Sequence, residues 1–132
     1  MPSSTDQAQT TTSFELVVPA DPELLRVVRL LASGLASFTP LDLDTVEAVR
    51  VGADELVSTL MQSGDGSAVS VHFAIHEDRL EIAASTPLAP EHSFELDPLT
   101  DRILGEVTSS HGFDAEGGQL TGHIHVALSK AP

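Results

Sequence analysis

The sequence contains no cysteine, tryptophan or tyrosine among its 132 residues. The absence of cysteine excludes a disulfide framework, a thiolate zinc site and a cysteine nucleophile. Because aromatic side chains other than histidine are limited to five phenylalanines, the chain has almost no material for stacking the bases of single-stranded nucleic acid. No apolar run approaches the roughly 20 residues that a membrane-spanning helix needs.

Basic residues are also few, since six Lys and Arg stand against 20 Asp and Glu and give a net charge of −14 at pH 7. A phosphate backbone is bound through a basic surface that releases counterions, so direct binding of DNA or RNA is not expected. Adsorption to an anionic membrane is not expected for the same reason. An acidic surface favours solubility and attracts a basic partner. Together with the missing cysteines, this charge predicts a soluble cytoplasmic protein.

The chain is expected to form one domain behind a short tail. Residues 1–13 (MPSSTDQAQTTTS) are polar and lack the basic start and apolar centre of a signal peptide, which predicts a disordered N-terminal tail. Residues 14–130 show no internal repeat and no linker, and their length is typical of a single domain. Apolar residues make up 41% of the sequence, enough for a core without disulfides or metal.

The first half of the chain changes between strand and helix patterns. Residues 14–18 alternate as a half-buried strand. Two helices follow, because Asp21 with Pro22 and then Asp42 are typical helix N termini. The second helix is expected to end at residues 63–66 (SGDG). Residues 69–76 and 79–84 alternate on either side of a turn at residues 77–78 and predict a hairpin.

The second half of the chain begins with a predicted loop at residues 86–96, which contain two prolines and no periodicity. Asp97 and Pro98 predict a third helix, which is expected to stop near His111. A short strand at residues 113–115 and a long strand at residues 119–129 complete the chain. The order β-α-α-β-β-α-β-β predicts an α+β fold, a two-layer α/β sandwich with a mostly antiparallel sheet and three helices on one face.

This order, combined with short motifs, resembles that of a known family of ATPases. The motifs are FELVVP at residues 14–19 before the first helix, VGADELV at residues 51–57 on the second, and Gly117 and Gly118 before a final strand that ends in LSK at residues 128–130. Over residues 14–130 the chain resembles the GHKL ATPases, whose fold is called the Bergerat or histidine-kinase-like fold. Within them it is most similar to the anti-sigma-factor serine kinases of the RsbW and SpoIIAB type.

The resemblance implies an ATP site built from three sequence boxes, of which the first is half present and the second has lost both its aspartate and its glycines. In the first box a helix glutamate acts as general base, and an asparagine one turn later holds Mg²⁺ from the same helix face. Glu55 matches the glutamate, but the asparagine position falls on Thr59, whose hydroxyl is a poorer Mg²⁺ ligand. In the second box an aspartate binds the adenine amino group, and this position falls on Thr86. The glycines that follow in the family are replaced by prolines and leucine in STPLAP, residues 85–90.

The third box should be glycine-rich, so that main-chain amides at a helix N terminus bind phosphate. Here it reads DPLTDR at residues 97–102, where proline removes an amide, two aspartates repel phosphate and Arg102 compensates only in part. If the old cleft holds any small ligand, we expect Glu55, Thr59, Thr86 and Arg102 near it, and we assign no metal site. The sequence therefore predicts no productive ATP binding and no cofactor.

Four histidines fall on the predicted strands, His72 and His76 on one and His123 and His125 on the last. If their polar faces coincide, the imidazoles line the uncovered side of the sheet, near Glu81. Imidazoles two residues apart on a strand can chelate zinc or nickel, although a solvent-facing row is the simpler interpretation. Such a row would gain charge below about pH 6.5 and could sense pH by weakening a packed interface.

The resemblance suggests two classes of function. We expect a regulatory protein-binding module that resembles an anti-sigma factor, acts as a homodimer and sequesters a protein partner in transcription regulation without ATP chemistry. The partner would be a sigma factor or an anti-anti-sigma-type regulator, and an acidic chain suits the basic DNA-binding surface of a sigma factor. The alternative is an active ATP-dependent protein-serine kinase with Glu55 as base and ATP with Mg²⁺ as cofactor. A distant alternative is a metal-binding protein that uses the four histidines.

Overall fold

The computed structural model describes residues 11–36, 41–90 and 93–128 of the chain. In chain order its elements are β1 (Thr12–Pro19), a 3₁₀ turn (Pro22–Leu24), α1 (Leu25–Ala36), α2 (Leu43–Ser63), β2 (Ala68–Ile75), β3 (Arg79–Pro87), α3 (Pro98–Val107), β4 (Ser110–Glu116) and β5 (Gln119–Ala127). The predicted order of strands and helices is confirmed, with a 3₁₀ turn added before α1.

The strands form one five-stranded sheet in the order β1-β2-β3-β5-β4, and each neighbouring pair is antiparallel. The apolar sides of α1, α2 and α3 pack with the inward side chains of the strands into one core. The predicted α+β class, a two-layer sandwich with three helices on one face, is therefore confirmed. No helix or strand of the described chain covers the opposite side of the sheet, which we call the open face.

Aspartate caps start the helical segments where the sequence predicts them. Their side chains accept hydrogen bonds of 2.8 to 3.0 Å from nearby main-chain amides, and the caps are Asp21, Asp42 and Asp97. These bonds satisfy amides that have no partner within the helix. Proline follows at Pro22 and Pro98, where its fixed φ suits the first helical position.

The core lies between α2 and the centre of the sheet. Its largest fully buried side chains include Phe73, Leu56, Leu60, Leu80, Ile82, Leu104, Leu120 and Ile124. Gly122 faces inward on β5, and a Cβ atom there would lie 2.7 Å from Leu56 Cδ1 and 2.8 Å from the Phe113 ring. Because Gly122 has no side chain, α2 packs closely against the sheet. This contact sets the distance between the sheet and α2, the helix that carries Glu55.

The structure corrects two predicted boundaries in the second half of the chain. β3 continues through Thr86 and Pro87, which the sequence places in a loop, because they pair with residues of β5. His111 does not end a helix, since α3 stops at Val107 and His111 lies within β4. β4 is accordingly longer than the predicted strand at residues 113–115. Both errors concern strand pairing, which depends on residues distant in sequence.

Other predictions concern the ends of the described ranges. β1 begins at Thr12, so the last two residues of the predicted tail belong to a strand. Residues 1–10 of that tail lie outside the described residues, as does Ser129 at the end of the predicted last strand. Among the described helices, none has both the length and the apolar character needed to cross a membrane.

Candidate functional site

Glu55 and Thr59 lie one turn apart on α2, and both are half-buried. The Thr59 hydroxyl donates a 2.8 Å hydrogen bond to the main-chain oxygen of Glu55. This bond lies within the helix and uses the Thr59 hydroxyl. The resemblance implies a Mg²⁺ ligand at this position. Glu55 thus lies where the resemblance places a general base, while the Thr59 hydroxyl one turn later is hydrogen-bonded to the main chain.

Thr86 is almost completely buried, with 2% of its surface exposed. Its hydroxyl donates a 3.1 Å hydrogen bond to the main-chain oxygen of Ala68 on β2. A Cβ atom on Gly64, at the end of α2, would lie 2.9 Å from Thr86 Cγ2, so the helix end packs directly against this side chain. The position of the adenine-binding aspartate therefore holds a neutral, packed side chain with its hydrogen bond satisfied internally.

The segment after β3 is tied down over the C-terminal end of α2. The Leu88 amide donates to the Gly118 oxygen at 2.9 Å, and the Ala89 amide donates to the Ser63 oxygen at 3.3 Å. Further along, Phe94 packs against Phe113 with ring centroids 5.6 Å apart. A depression of about 230 Å³ remains here, lined by Gln62, Ser63, Leu88, Ser93, Phe94 and Glu95. Among the described residues, no Lys or Arg side chain lines this depression.

The N terminus of α3, where the third box falls, is closed by its own side chains. Asp97 accepts the hydrogen bond of the Leu99 amide at 2.8 Å, and Pro98 has no amide to offer. Arg102 points to solvent and lies 3.8 Å from Glu106. In the described ranges, no hydrogen bond or ion pair links the side chains of Glu55, Thr59, Thr86 and Arg102 to one another. The structure thus places these four residues on three elements without a shared polar network.

The histidines separate into two groups. His72 and His123 lie on the open face in one row, on either side of Ala83. His76 follows the end of β2 rather than lying within it, because β2 stops at Ile75. The described residues contain no group of three or more His, Cys, Asp or Glu side chains that could hold a metal ion.

His76 and His125 lie beside the carboxylate of Glu81. His76 Nε2 is 3.4 Å from Glu81 Oε1, without hydrogen-bond geometry, and His125 Nε2 is 3.9 Å from Oε2. The Arg79 guanidinium donates a 2.9 Å hydrogen bond to Oε2 and holds the pKa of Glu81 below its ordinary value, although burial opposes this. The expected proximity of the histidines to Glu81 therefore holds for His76 and His125.

The sequence analysis did not identify a basic and apolar surface on α1 and α2. A depression of about 390 Å³ is lined by Arg26, Arg29, Leu30, Ser33 and Arg50. The Leu30 side chain is 71% exposed and Val27 is 40% exposed. The signal was present, because three of the six basic residues fall within residues 26–50, two of them beside Leu30 and off the apolar stripe of α1.

Ion pairs hold part of this surface in place. Arg29 Nε lies 2.9 Å from Asp54 Oδ1 and joins α1 to α2, while Arg50 pairs with Glu47 one turn earlier on α2. Among described residues, none forms an ion pair or hydrogen bond with Arg26. We call this area, with Val27, the α1–α2 surface.

Known proteins similar to this chain support the same architecture. No protein-family model matches the chain. It is 34% identical over 111 residues to serine-protein kinase RsbW of Bacillus velezensis and 33% identical over 111 residues to that of Bacillus subtilis, covering 80% of this chain and 67% of each relative. Serine-protein kinase RsbW of Bacillus pumilus is 30% identical over 118 residues, covering 83% of this chain and 70% of the relative.

A solved structure shows the same fold. The crystal structure of the RsbU and RsbW domains of a Mycobacterium tuberculosis protein matches 91% of this chain with a TM-score of 0.74 at 14% identity. This chain spans 33% of that longer chain. The antiparallel sheet with three helices on one face is therefore the fold of a GHKL-type domain. The sequence relatives define the class further, and the chain belongs to the RsbW family of serine-protein kinases.

Proposed function

We propose that this chain is an anti-sigma-type regulator that binds a protein partner and has lost productive ATP binding. The observation that carries the proposal is the state of Thr86, which is buried and hydrogen-bonded to Ala68 where the family resemblance places an adenine-binding carboxylate. A buried, neutral hydroxyl would accept a weaker hydrogen bond from the adenine amino group than an ionised carboxylate does. We infer that the chain regulates through contacts with protein alone.

The magnitude of the expected loss favours this proposal. A hydrogen bond to a charged group contributes about 1.5–3 kcal/mol, and about 1.4 kcal/mol corresponds to a factor of ten in affinity. Thr86, Thr59 and the capped N terminus of α3 remove the adenine, metal and phosphate contacts together. Although such losses do not add simply, even two of them weaken ATP binding by about two orders of magnitude or more.

The α1–α2 surface is the docking site that we propose for the partner. Leu30 and Val27 supply exposed apolar area, and arginines surround it on a chain whose net charge is −14. Arginines beside an exposed leucine suit a protein segment with an apolar centre and acidic neighbours. The acidic remainder of the domain attracts the basic surface with which a sigma factor binds DNA.

The proposed setting follows the family resemblance. The partner is a sigma factor or an anti-anti-sigma-type regulator, the chain acts as a homodimer, and it works in the cytoplasm without binding nucleic acid or membrane. Sequestration needs no chemistry at Glu55, whose role would be that of a half-buried helix carboxylate.

An active serine kinase is the second candidate, because the relatives are named serine-protein kinases. In that case Glu55 would act as general base on a partner serine, with ATP and Mg²⁺ held near Thr59 and Thr86. This candidate requires Thr86 and the segment tied to Gly118 to move apart and open a cleft. Such opening would break the Thr86–Ala68 and Leu88–Gly118 hydrogen bonds.

Partner binding tests the proposal directly. Sigma factors and anti-anti-sigma-type proteins encoded in the same genome would be titrated against the chain without nucleotide, by calorimetry or surface plasmon resonance. We expect one of them to bind, and Leu30→Ala to weaken its binding about tenfold or more, since an exposed leucine at the centre of an interface contributes strongly. Leu99→Ala, which removes a leucine 63% exposed on α3, is the matched control and should bind as the wild type does. Binding only in the presence of Mg-ATP would contradict the proposal.

A further inference from the structure

The open face has an interior without unpaired charge at neutral pH and carboxylates at its edges. Its middle row, from β1 to β4, consists of Glu15, His72, Ala83, His123 and Gly112. The rows on either side are Val17, Ser70, Ser85, Thr121 and Asp114, and Ser13, Ala74, Glu81, His125 and Ser110. The one interior carboxylate, Glu81, is paired with Arg79, whereas Glu15 and Asp114 lie on the edge strands.

The centre of the open face is recessed and accessible to solvent. A depression of about 440 Å³ lies over it, with Ala83 in its floor and His72 and His123 among the residues that line it. The His123 ring leans toward β4, because a Cβ atom on Gly112 would lie 2.8 Å from its Cε1 atom. Val17 is 64% exposed on the same face. Small side chains in the floor allow a second sheet to approach to the usual spacing of about 10 Å.

The size of the face suits a weak but specific interface. Five strands about 4.8 Å apart and about seven residues long give a face of about 24 by 23 Å, so two copies would bury about 1,100 Å². This is close to the lower limit for specific protein interfaces. An uncharged centre with a charged rim is also the usual anatomy of such interfaces.

We propose that the open face joins two copies of this chain at neutral pH and that protonation of His72 and His123 separates them. The inference rests on the homodimer of the proposed function and adds the surface and its regulation. A twofold axis that runs parallel to the strands, above Ala83 on the central strand, would place β2 of one copy over β5 of the second copy. His72 would then face His123 of the second copy. An axis across the strands would place each histidine against its own counterpart. Imidazole therefore meets imidazole in both arrangements.

The charged groups around these imidazoles determine the sign of the pH effect. His72 faces Glu15 on β1 and Ala83 on β3, whereas His123 faces Ala83 and Gly112 and has the His125 ring 5.7 Å away. Diagonally, both histidines have Glu81 on β3 as a neighbour, and His123 also has Asp114 on β4. Two imidazolium charges in each copy would thus face only one unpaired carboxylate directly, that of Glu15.

A competing effect acts in the opposite direction. Protonation of all six histidines changes the net charge of each copy from −14 to −14 + 6 = −8, which reduces repulsion between copies. That repulsion acts largely through solvent and is screened beyond about 8 Å at physiological salt. Charges at the centre of the interface are removed from water and are screened much less. The dimer therefore binds fewer protons than two separate copies, and falling pH favours separation.

Sedimentation velocity at fixed, physiological salt tests the inference. We expect the wild-type chain to be dimeric near about pH 7.5, and its dissociation constant to rise at least about tenfold when the pH is lowered to about 5.5. The double variant His72→Gln with His123→Gln should remain dimeric at both values. Ala83→Arg, which adds a charge at an exposed central position, should be monomeric at both, with a circular dichroism melt showing that it is folded.

His111→Gln is the matched control, because His111 contacts Asp101 of α3 at 2.7 Å and has no place on the open face. It should keep the wild-type response to pH. A wild-type chain that is monomeric near neutral pH, a double variant with the wild-type response, or a dimeric Ala83→Arg would each overturn the inference. The proposed function is tested separately, because Ala83→Arg leaves the α1–α2 surface intact and should still bind its partner there.

Discussion

The Thr86 hydroxyl donates a hydrogen bond to the main-chain oxygen of Ala68, 3.1 Å away, and so ties the end of β3 to the start of β2. In the family that this chain resembles, the position of Thr86 carries a carboxylate that would face a nucleotide. Here the same position contributes to stability, since the side chain is buried and packs beside Gly64 at the end of α2. The proposed loss of productive ATP binding depends on this contact.

Substitution of Thr86 tests whether the position is structural. Thr86→Val should lower the free energy of unfolding by about 1 kcal/mol, because the Ala68 oxygen loses its donor. Thr86→Asp should cost about 3 kcal/mol, since it buries a carboxylate opposite that oxygen. Chemical denaturation measures both values.

The pH dependence of these variants provides the control. The penalty of Thr86→Asp should shrink as the pH falls toward about 4, because a protonated carboxyl group can donate to the Ala68 oxygen. Thr86→Val has no group that titrates, so its penalty should stay constant. An aspartate variant as stable as the wild type at neutral pH would show that this position has access to water.

Two glycines in different surroundings should respond to alanine in opposite directions. Gly122→Ala should destabilise the chain by about 1–3 kcal/mol, because its Cβ atom would be too close to Leu56 and Phe113 and would push α2 from the sheet. A Cβ atom on Gly34 of α1 would meet no atom within 4 Å. Gly34→Ala should therefore stabilise the chain by about 0.5–1 kcal/mol, because alanine has a higher helix propensity than glycine. Equal effects in urea denaturation would contradict this description of the packing.

Acid stability should depend in part on Glu81. Hydrogen bonding from Arg79 holds the pKa of this carboxyl below its ordinary value of 4.5, so its charged form is favoured in the folded state. The resulting stability is fully present above the ordinary pKa and is lost as the pH falls through the lower, folded-state pKa. Glu81→Gln should therefore flatten the stability curve at pH values below 4.5 and leave the slope at neutral pH unchanged. A variant with the wild-type slope in acid would show that the Arg79 contact does not persist in solution.

The sequence predicts the helices well because their signals are local. Asp21, Asp42 and Asp97 begin helical segments where expected, since a cap needs only the next two or three residues. The hairpin of β2 and β3 follows from alternation for the same reason. The prediction was wrong at Thr86 and His111, where each residue belongs to a strand because β5, more than ten residues further along the chain, pairs with it.

The candidate site shows a similar division. The positions of Glu55 and Thr59 on one helix follow from their spacing alone. The hydrogen bond of Thr86 and the contacts of Leu88, Ala89 and Phe94 over the end of α2 depend on tertiary packing that no motif encodes. The α1–α2 surface was missed because Arg26, Arg29 and Arg50 lie on two helices whose packing brings them together.

Calorimetric titration of the purified chain with Mg-ATP and Mg-ADP measures whether the chain binds nucleotide at all. We expect no heat of binding and no thermal stabilisation at millimolar nucleotide, because the adenine position is packed and the phosphate position is capped. Micromolar binding that Glu55→Ala or Thr59→Ala abolishes would contradict the proposed loss of nucleotide binding and make the serine kinase the leading alternative.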